Sequence, residues 1–220
     1  MPTFPGTPGF PHDGSERVGV LLVNSGSPDS ASVRDIRRFL GELLSDPRVV
    51  EMPRWLWLPI LRGLILPIRP LRSARKYREM FAAGRSPLLS LSESLREALE
   101  LELTPQFAAA APVAIGMLYS SPSIENAILG LIGRGARRLL VVPLFPQYCG
   151  VTTGAVYDKV AAVLGKLRWV PEVRFIADYH DDDGYIEALR ASIAVHWAAN
   201  GRTGHLLLSW HGIPSAYCDK

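Results

Sequence analysis

The sequence predicts an α/β fold built on a mainly parallel sheet. Short apolar runs suited to buried strands alternate with longer segments in which apolar residues recur every three or four positions. Loops rich in Gly, Ser and Pro separate them. Such alternation is typical of parallel sheets with right-handed crossovers, whose ligands bind beyond the carboxyl ends of the strands.

Composition narrows the class of protein. Of the 220 residues, 48% are apolar, which is enough for a substantial core, and the net charge of +3 does not by itself indicate nucleic-acid binding. The two cysteines, Cys149 and Cys218, form no CxxC pair, so neither a disulfide framework nor a structural zinc pattern is present. Residues 1–17 are rich in Pro and Gly and are predicted to be a disordered extension, since they lack the apolar core of a signal peptide.

The first strand and helix begin the sheet. The run VGVLLV at residues 18–23 predicts a buried strand, and the loop that follows contains Gly26. This loop matches neither the dinucleotide fingerprint nor the P-loop. A helix is expected at residues 30–44, ended by Asp46 and Pro47.

The next segment, residues 54–69, is strongly apolar but too short to span a bilayer, and Pro59 and Pro67 interrupt it. Two interpretations stay open. Its two tryptophans and flanking arginines suit a membrane interface, and its apolar residues equally suit a buried helix of the first domain.

A basic region overlaps this segment. A helix is expected at residues 71–83 and another at 90–103. Between positions 52 and 86 there is one acid, Glu79, and eight basic residues: Arg54, Arg62, Arg69, Arg72, Arg75, Lys76, Arg78 and Arg85. This imbalance predicts an anionic ligand or surface.

The rest of the chain continues the alternation. Further strands are expected at residues 113–119, 138–145 and 173–179, with helices at 121–133, 155–167 and 181–199. A domain boundary is expected near residue 170, so that residues 18–169 form a first half and residues 170–220 begin a second.

The last apolar run, Leu206 to Leu208, predicts a fifth buried strand leading to His211. Gly212 and Pro214 then turn the chain. A histidine at the carboxyl end of a strand is a candidate for proton transfer near neutral pH, and a solvated histidine is the alternative.

Seven segments together resemble the ferrochelatase family, most closely its proteobacterial members. They cover nearly the whole chain beyond residue 17, in this order: LLVNSGSPDS, FLGELLSDPRVV, RWLWLPILRGLILP, KYREMF with GRSPL, GMLYSSPSIENA, VPLFPQYCGVTTG and LSWHGIPSAY. The resemblance implies two similar Rossmann-like α/β halves with a porphyrin cleft between them. It also implies a lyase activity, the insertion of Fe²⁺ into protoporphyrin IX in the last step of heme synthesis.

The resemblance also implies roles for individual residues. His211 would face the porphyrin centre, hold the incoming metal and accept pyrrole protons. Five further residues would bind the porphyrin: Ser25, Arg69, Tyr77, Ser86 and Tyr119. The sequence departs from other members at Leu118, where some carry arginine, and at Tyr148 to Gly150, where a serine-containing version is commoner.

Members of this family continue beyond the length of this chain and supply there a carboxylate opposite the histidine. The sequence is therefore interpreted as a C-terminally truncated member with an incomplete second half, and little or no activity is expected from the 220 residues alone. The resemblance implies protoporphyrin and Fe²⁺ as substrates. It implies no permanent cofactor, no iron–sulfur cluster and no nucleic acid as a partner, and a cytoplasmic location that leaves open a peripheral contact with the inner face of the membrane.

Three alternatives to this function remain open at the level of the sequence. The chain fits a non-catalytic porphyrin- or heme-binding protein that keeps the cleft. It also fits a chelatase for another metal or tetrapyrrole, because histidine and carboxylate ligands follow the general affinity order of divalent metals. A nucleotide-binding α/β protein is disfavoured, since no phosphate fingerprint is present.

Overall fold

The structure is a computed structural model that describes residues 4, 17–81, 84–106, 111–202 and 204–218. Most of the predicted N-terminal extension lies outside these residues. The chain divides into two compact units, Met1–Ala177 and Asp178–Lys220.

The first unit contains a four-stranded sheet in which every pair is parallel. Its strands are β1 (Arg17–Asn24), β2 (Val113–Met117), β3 (Ala136–Pro143) and β4 (Glu172–Phe175), in the order β2-β1-β3-β4. The predicted α/β class with a parallel sheet is thus confirmed. β1 is an inner strand, and its residues from Gly19 to Val23 are all buried, as a continuous apolar run predicts.

The described residues of the first unit also form six α-helices. They are α1 (Val33–Ser45), α2 (Arg54–Ile60), α3 (Leu66–Met80), α4 (Pro87–Leu103), α5 (Ile124–Gly133) and α6 (Ala155–Leu164). Ser32 and Ser123 cap α1 and α5 by accepting hydrogen bonds from the backbone N–H groups of Asp35 and Asn126. The helix expected to begin at residue 71 instead begins at Leu66, because a π-helical turn, Leu61–Ile65, joins it to α2.

The two faces of β1 build two separate cores. Leu21 and Val23 contribute to a large core with α1, α5 and α6. Val20 and Leu22 point to the other face and pack with β2, where residues of α4 cover them. Both faces of the sheet are therefore covered, which is the usual requirement of a parallel sheet.

The apolar segment of residues 54–69 packs one side against the first unit and exposes the other, and its position at a membrane interface stays a prediction. Leu61 is fully buried, and the half-buried Trp57 donates a hydrogen bond from Nε1 to the carbonyl of Leu44 at 2.6 Å. The outer surface carries an apolar stripe, which we define as the exposed residues Trp55, Leu56, Ile60, Leu64, Ile68 and Leu71. Among the described residues, no helix is both long and apolar enough to cross a membrane.

The strand expected to open a second half belongs to the first unit. β4 pairs with β3, from Arg138 opposite Glu172 to Val141 opposite Phe175, so it extends the same sheet as β1 and β2. The division between units consequently falls after Ala177 and not near residue 170. The position of a strand along the chain does not specify the strand with which it pairs.

The second unit contains α7 (Asp183–Asn200) and a short α8 (Ser215–Cys218). The expected fifth strand is wrong: residues 204–214 are irregular, and Leu206, Leu207 and Leu208 are 52%, 91% and 59% exposed. The physical reason is pairing. The described part of this unit contains no strand, so the backbone of the leucine run has no ladder partner.

The loops that follow β1 and β2 approach each other closely at Gly26. Its φ of +91° is in the left-handed region, and a Cβ atom there would lie 1.9 Å from the carbonyl oxygen of Tyr119. Only glycine allows both the backbone angle and the close approach.

We expect Gly26→Ala to lower the free energy of unfolding by about 3 kcal/mol, because it combines a left-handed alanine with a backbone collision. Gly130→Ala in α5 is the matched control, since nothing lies within 4 Å of a Cβ there. Its expected effect is a gain of about 0.5–1 kcal/mol in a helix interior. Denaturant titration measures both variants, and equal stabilities would contradict this account of the loop.

Candidate functional site

The candidate site of the first unit lies at the carboxyl ends of β1 and β2. The backbone N–H of Leu118 donates to the carbonyl of Asn24 at 2.9 Å, and the N–H of Tyr119 donates to the carbonyl of Ser25 at 3.1 Å. Ser25 is half-buried. Two residues predicted to contact the porphyrin, 94 positions apart in sequence, are thus neighbours through their backbones.

Tyr119 is itself part of the core. Its side chain is 2% exposed, and its hydroxyl donates a hydrogen bond to Asp46 Oδ2 at 3.0 Å. Burial, reinforced by the adjacent carboxylate, raises the pKa of the Tyr119 hydroxyl far above its ordinary value. The residue is therefore a neutral donor committed to Asp46, and its predicted contact with the porphyrin stays a prediction.

The segment after α1 connects this tyrosine to the loop after β3. Asp46 also accepts the backbone N–H of Arg48 at 2.9 Å, and Arg48 forms a bidentate pair with Asp158, with Nη2 to Oδ1 at 2.9 Å. That pairing raises the pKa of the Arg48 guanidinium and lowers the pKa of Asp158. The Arg48 guanidinium also packs on Gly154, where a Cβ would lie 2.7 Å from Nη1.

Sequence reasoning missed these contacts. It interpreted the residues after α1 only as a helix stop, although the motif SDPR supplies both Asp46 and Arg48. A signal was present, since a carboxylate and a guanidinium directly after a helix can bind side chains from other elements. Their partners lie 73 and 110 residues further along the chain, and no local pattern identifies them.

Ser86 connects the start of α4 to the loop after β1. It is 5% exposed and occupies the N-cap position, yet its side chain accepts no hydrogen bond from the helix backbone. Its hydroxyl instead pairs with the hydroxyl of Ser27 at 2.6 Å. The structure therefore brings Ser86, Ser25 and Tyr119 into one hydrogen-bonded junction, with Ser27 and the backbone as links.

Arg69 and Tyr77 both lie on α3. Arg69 is exposed, and Tyr77 is half-buried with its ring edge-to-face against Phe81 at 5.8 Å. Burial raises the pKa of Tyr77, and the nearby positive charge of Arg69 partly opposes this shift. Whether the two side chains bind one anionic group stays a prediction.

His211 belongs to the second unit, Asp178–Lys220. It is exposed within the irregular residues 204–214, after the leucine run that forms no strand. Its role as base and metal ligand stays a prediction.

One cluster in the described residues has the donor set of a metal site. Asp178, His180 and Asp181 are all exposed, and each offers a ligand atom within 4.8 Å of the others. The sequence had indicated only a helix start here, and Asp182 does cap α7 by accepting the backbone N–H of Tyr185 at 3.0 Å. Exposed carboxylates commonly lie together without a metal, so this cluster identifies no site by itself.

The fold is that of an α/β protein with a parallel sheet, and this junction lies beyond the carboxyl ends of its strands, where proteins of this class commonly bind ligands. The family model described as Ferrochelatase matches residues 17–220. The chain belongs to the ferrochelatase family.

Curated relatives named Ferrochelatase support this assignment. The chain is 44% identical over 214 residues to the protein of Thioalkalivibrio sulfidiphilus and 47% identical over 214 residues to that of Nitrosococcus oceani, with 97% of this chain and 58% of each relative covered. It is 48% identical over 206 residues to the protein of Photobacterium profundum, covering 94% of this chain and 62% of that relative. The chain thus spans about three fifths of the length of these relatives.

We expect Tyr119→Phe to lower the free energy of unfolding by about 1–3 kcal/mol, because it removes a hydrogen bond to a carboxylate. Tyr157→Phe is the control, since the Tyr157 ring stacks on Phe175 with centroids 3.9 Å apart and its hydroxyl donates to no described group. The control is expected to change stability by less than about 0.5 kcal/mol. Urea titration of both variants measures the difference, and equal losses would contradict the assigned hydrogen bond.

The same tyrosine predicts a pH dependence. The pKa of Tyr119 is raised in the folded state. Its contribution to the free energy of unfolding is therefore complete below the unfolded tyrosine pKa of about 10, and this contribution is lost as the pH rises above that value. The free energy of unfolding should therefore fall less steeply above pH ~10 in Tyr119→Phe than in the unmodified chain. Parallel slopes in the two proteins would contradict the burial of a protonated Tyr119.

Proposed function

We propose that the protein inserts Fe²⁺ into protoporphyrin IX to form protoheme, the last step of heme synthesis. The observation that supports this proposal is the junction at the carboxyl ends of β1 and β2. Tyr119 hydrogen-bonds there to the backbone carbonyl of Ser25, and Ser86 hydrogen-bonds to Ser27 in the same loop, although these residues are far apart in the sequence. The match of residues 17–220 to the ferrochelatase family supports the proposed reaction, the insertion of a metal into a porphyrin.

The porphyrin carboxylates would bind at α3 and the start of α4. Arg69 offers an exposed guanidinium, which forms charge-assisted and often bidentate bonds with a carboxylate. Tyr77 can donate a neutral hydrogen bond, since tyrosine is protonated at neutral pH and burial raises the pKa of Tyr77 further. Ser86 can add a third donor, since its hydroxyl group can both accept from Ser27 and donate to a ligand.

Metal insertion exchanges two pyrrole protons for one Fe²⁺ and changes no oxidation state. A base near the macrocycle accelerates removal of these protons, and a neutral imidazole also binds Fe²⁺ in transit. His211 is our candidate for both roles, on the resemblance of LSWHGIPSAY to the family motif.

The hydrophobic substrate suggests where the protein works. We propose a cytoplasmic location with a peripheral contact at the inner face of the membrane. The apolar stripe supports this contact, because Trp55 is 79% exposed and Leu64 is 58% exposed beside arginine side chains. Exposed tryptophan and leucine flanked by arginine are typical of segments that lie in a membrane interface.

We expect Arg69→Ala to raise the Kd for protoporphyrin about 10-fold or more, because a hydrogen bond to a charged group contributes about 1.5–3 kcal/mol. Arg75→Ala, on the same helix, is the control, since Arg75 is highly exposed and pairs with Glu79 at 3.0 Å. Titration of the porphyrin absorption band measures both. Equal Kd values for the two variants would contradict the role of Arg69.

We expect His211→Ala to abolish the metal insertion that the unmodified chain retains while leaving porphyrin binding largely intact, because the substitution removes the proposed base. His196→Ala is the control, since His196 is an exposed residue of α7. Absorbance of the metalloporphyrin formed with Zn²⁺ or Fe²⁺ measures the rate. Equal losses of binding and insertion would assign His211 a structural role.

A further inference from the structure

A basic groove separates α1 from the helical segment that carries the apolar stripe. Three arginines of α1, Arg34, Arg37 and Arg38, line one wall, and Arg62 and Leu66 line the other. Gly41, Glu42 and Ser45 complete the lining, and the cavity has a volume of about 530 Å³. Four arginines and a single acidic residue, Glu42, therefore line one shallow, open groove.

Internal partners neutralise only part of this charge. Arg38 forms ion pairs with Asp29 and Asp35. The carboxylate of Glu42 accepts the backbone N–H of Ser120 at 2.8 Å. Arg37 donates from Nε to the carbonyl of Leu66 at 3.1 Å, which leaves its two terminal nitrogens available.

Arg34 and Arg62 form no hydrogen bond or ion pair with a described residue, and the charge of Arg34 helps to lower the pKa of its neighbour Asp35. With Arg37 they are three guanidiniums whose charge no ion pair among the described residues balances. A tetrahedral anion with several oxygens is the ligand that such a set binds best, because guanidinium groups match the geometry of phosphate oxygens.

The groove adjoins the apolar stripe along the chain. Arg62 lies between two stripe residues, Ile60 and Leu64, and the helical turn that contains it leads directly into Leu66 at the wall of the groove. A ligand that binds both the groove and the apolar stripe has an anionic headgroup joined to an apolar part. A bilayer with anionic phospholipid has this arrangement, with phosphates at the depth of the arginines and acyl chains below.

We propose that this groove binds the phosphate headgroup of an anionic phospholipid while the apolar stripe enters the adjacent acyl region. The inference rests on the membrane contact proposed above and makes it specific, since it assigns headgroup recognition to Arg34, Arg37 and Arg62. It gives the protein a preference for anionic over zwitterionic bilayers. The arginine proposed to bind the porphyrin carboxylates, Arg69, does not line the groove.

Vesicle sedimentation of the full chain tests the proposal. We expect binding to vesicles of phosphatidylglycerol mixed with phosphatidylcholine, and much weaker binding to pure phosphatidylcholine. The double variant Arg34→Gln with Arg62→Gln should lose about 10- to 30-fold of the affinity for the anionic vesicles. The charge-matched control, Arg168→Gln with Arg174→Gln, should lose about 2-fold or less, since these exposed residues lie outside the groove.

Two further measurements identify the occupant. Circular dichroism and the Kd for protoporphyrin should be unchanged in the groove variant, and inorganic phosphate should not release the unmodified chain from vesicles. Weaker porphyrin binding in the groove variant would instead assign the groove to porphyrin carboxylates. Release by millimolar phosphate would identify a site for free phosphate, and either result would overturn the proposal.

The remaining outcomes distinguish failure of the headgroup site from failure of the membrane contact. Equal losses in the groove and control variants would show diffuse charge attraction and overturn the headgroup site. Equal binding to both kinds of vesicle, lost in Leu64→Gln with Ile68→Gln, would overturn the headgroup site and keep the apolar contact. Failure to bind any vesicle would overturn both, and the metal-insertion assay would still test the proposed chemistry independently.

Discussion

The arrangement of the candidate site depends on the close approach of two backbones, at Gly26 and Tyr119. The carbonyl of Tyr119 occupies the space that a side chain at position 26 would need. This approach aligns the loop after β1 with the loop after β2 and allows the backbone N–H of Tyr119 to bond to Ser25. The buried Tyr119 hydroxyl then fixes Asp46 at the end of α1. A single glycine thus positions loops that come from distant parts of the chain.

Much of the first unit could be predicted from the sequence, because its determinants are local. The run of buried residues in β1 and the three- and four-residue spacing in α1 indicate strand and helix without knowledge of partners. Pairing is not local. The sequence therefore did not indicate that β4 joins β3, and it predicted a strand at Leu206 to Leu208, where the described residues offer no ladder partner. The Tyr119–Asp46 bond was missed for the same reason.

The packing of residues 54–69 explains why the composition of this segment supported two interpretations. A helix that is apolar on several faces can pack one face and expose another. Leu61 and Trp57 form the packed face, while the apolar stripe remains exposed. The arginines in and beside this segment distinguish it from a fully buried core helix, because burying a guanidinium group without a carboxylate partner costs free energy. Arg69 would then bind the porphyrin and Arg62 the lipid, although both lie on the same continuous helical segment.

Hydrogen exchange with and without protoporphyrin tests the central claim, that the junction at the ends of β1 and β2 faces the substrate. The backbone amides of Leu118 and Tyr119 report directly, since both donate to the loop after β1. We predict that bound porphyrin slows exchange in residues 24–29, in α3 and at residues 118–122. Unchanged exchange in these segments, with slowing confined to the far ends of the strands or to α5, would contradict the account.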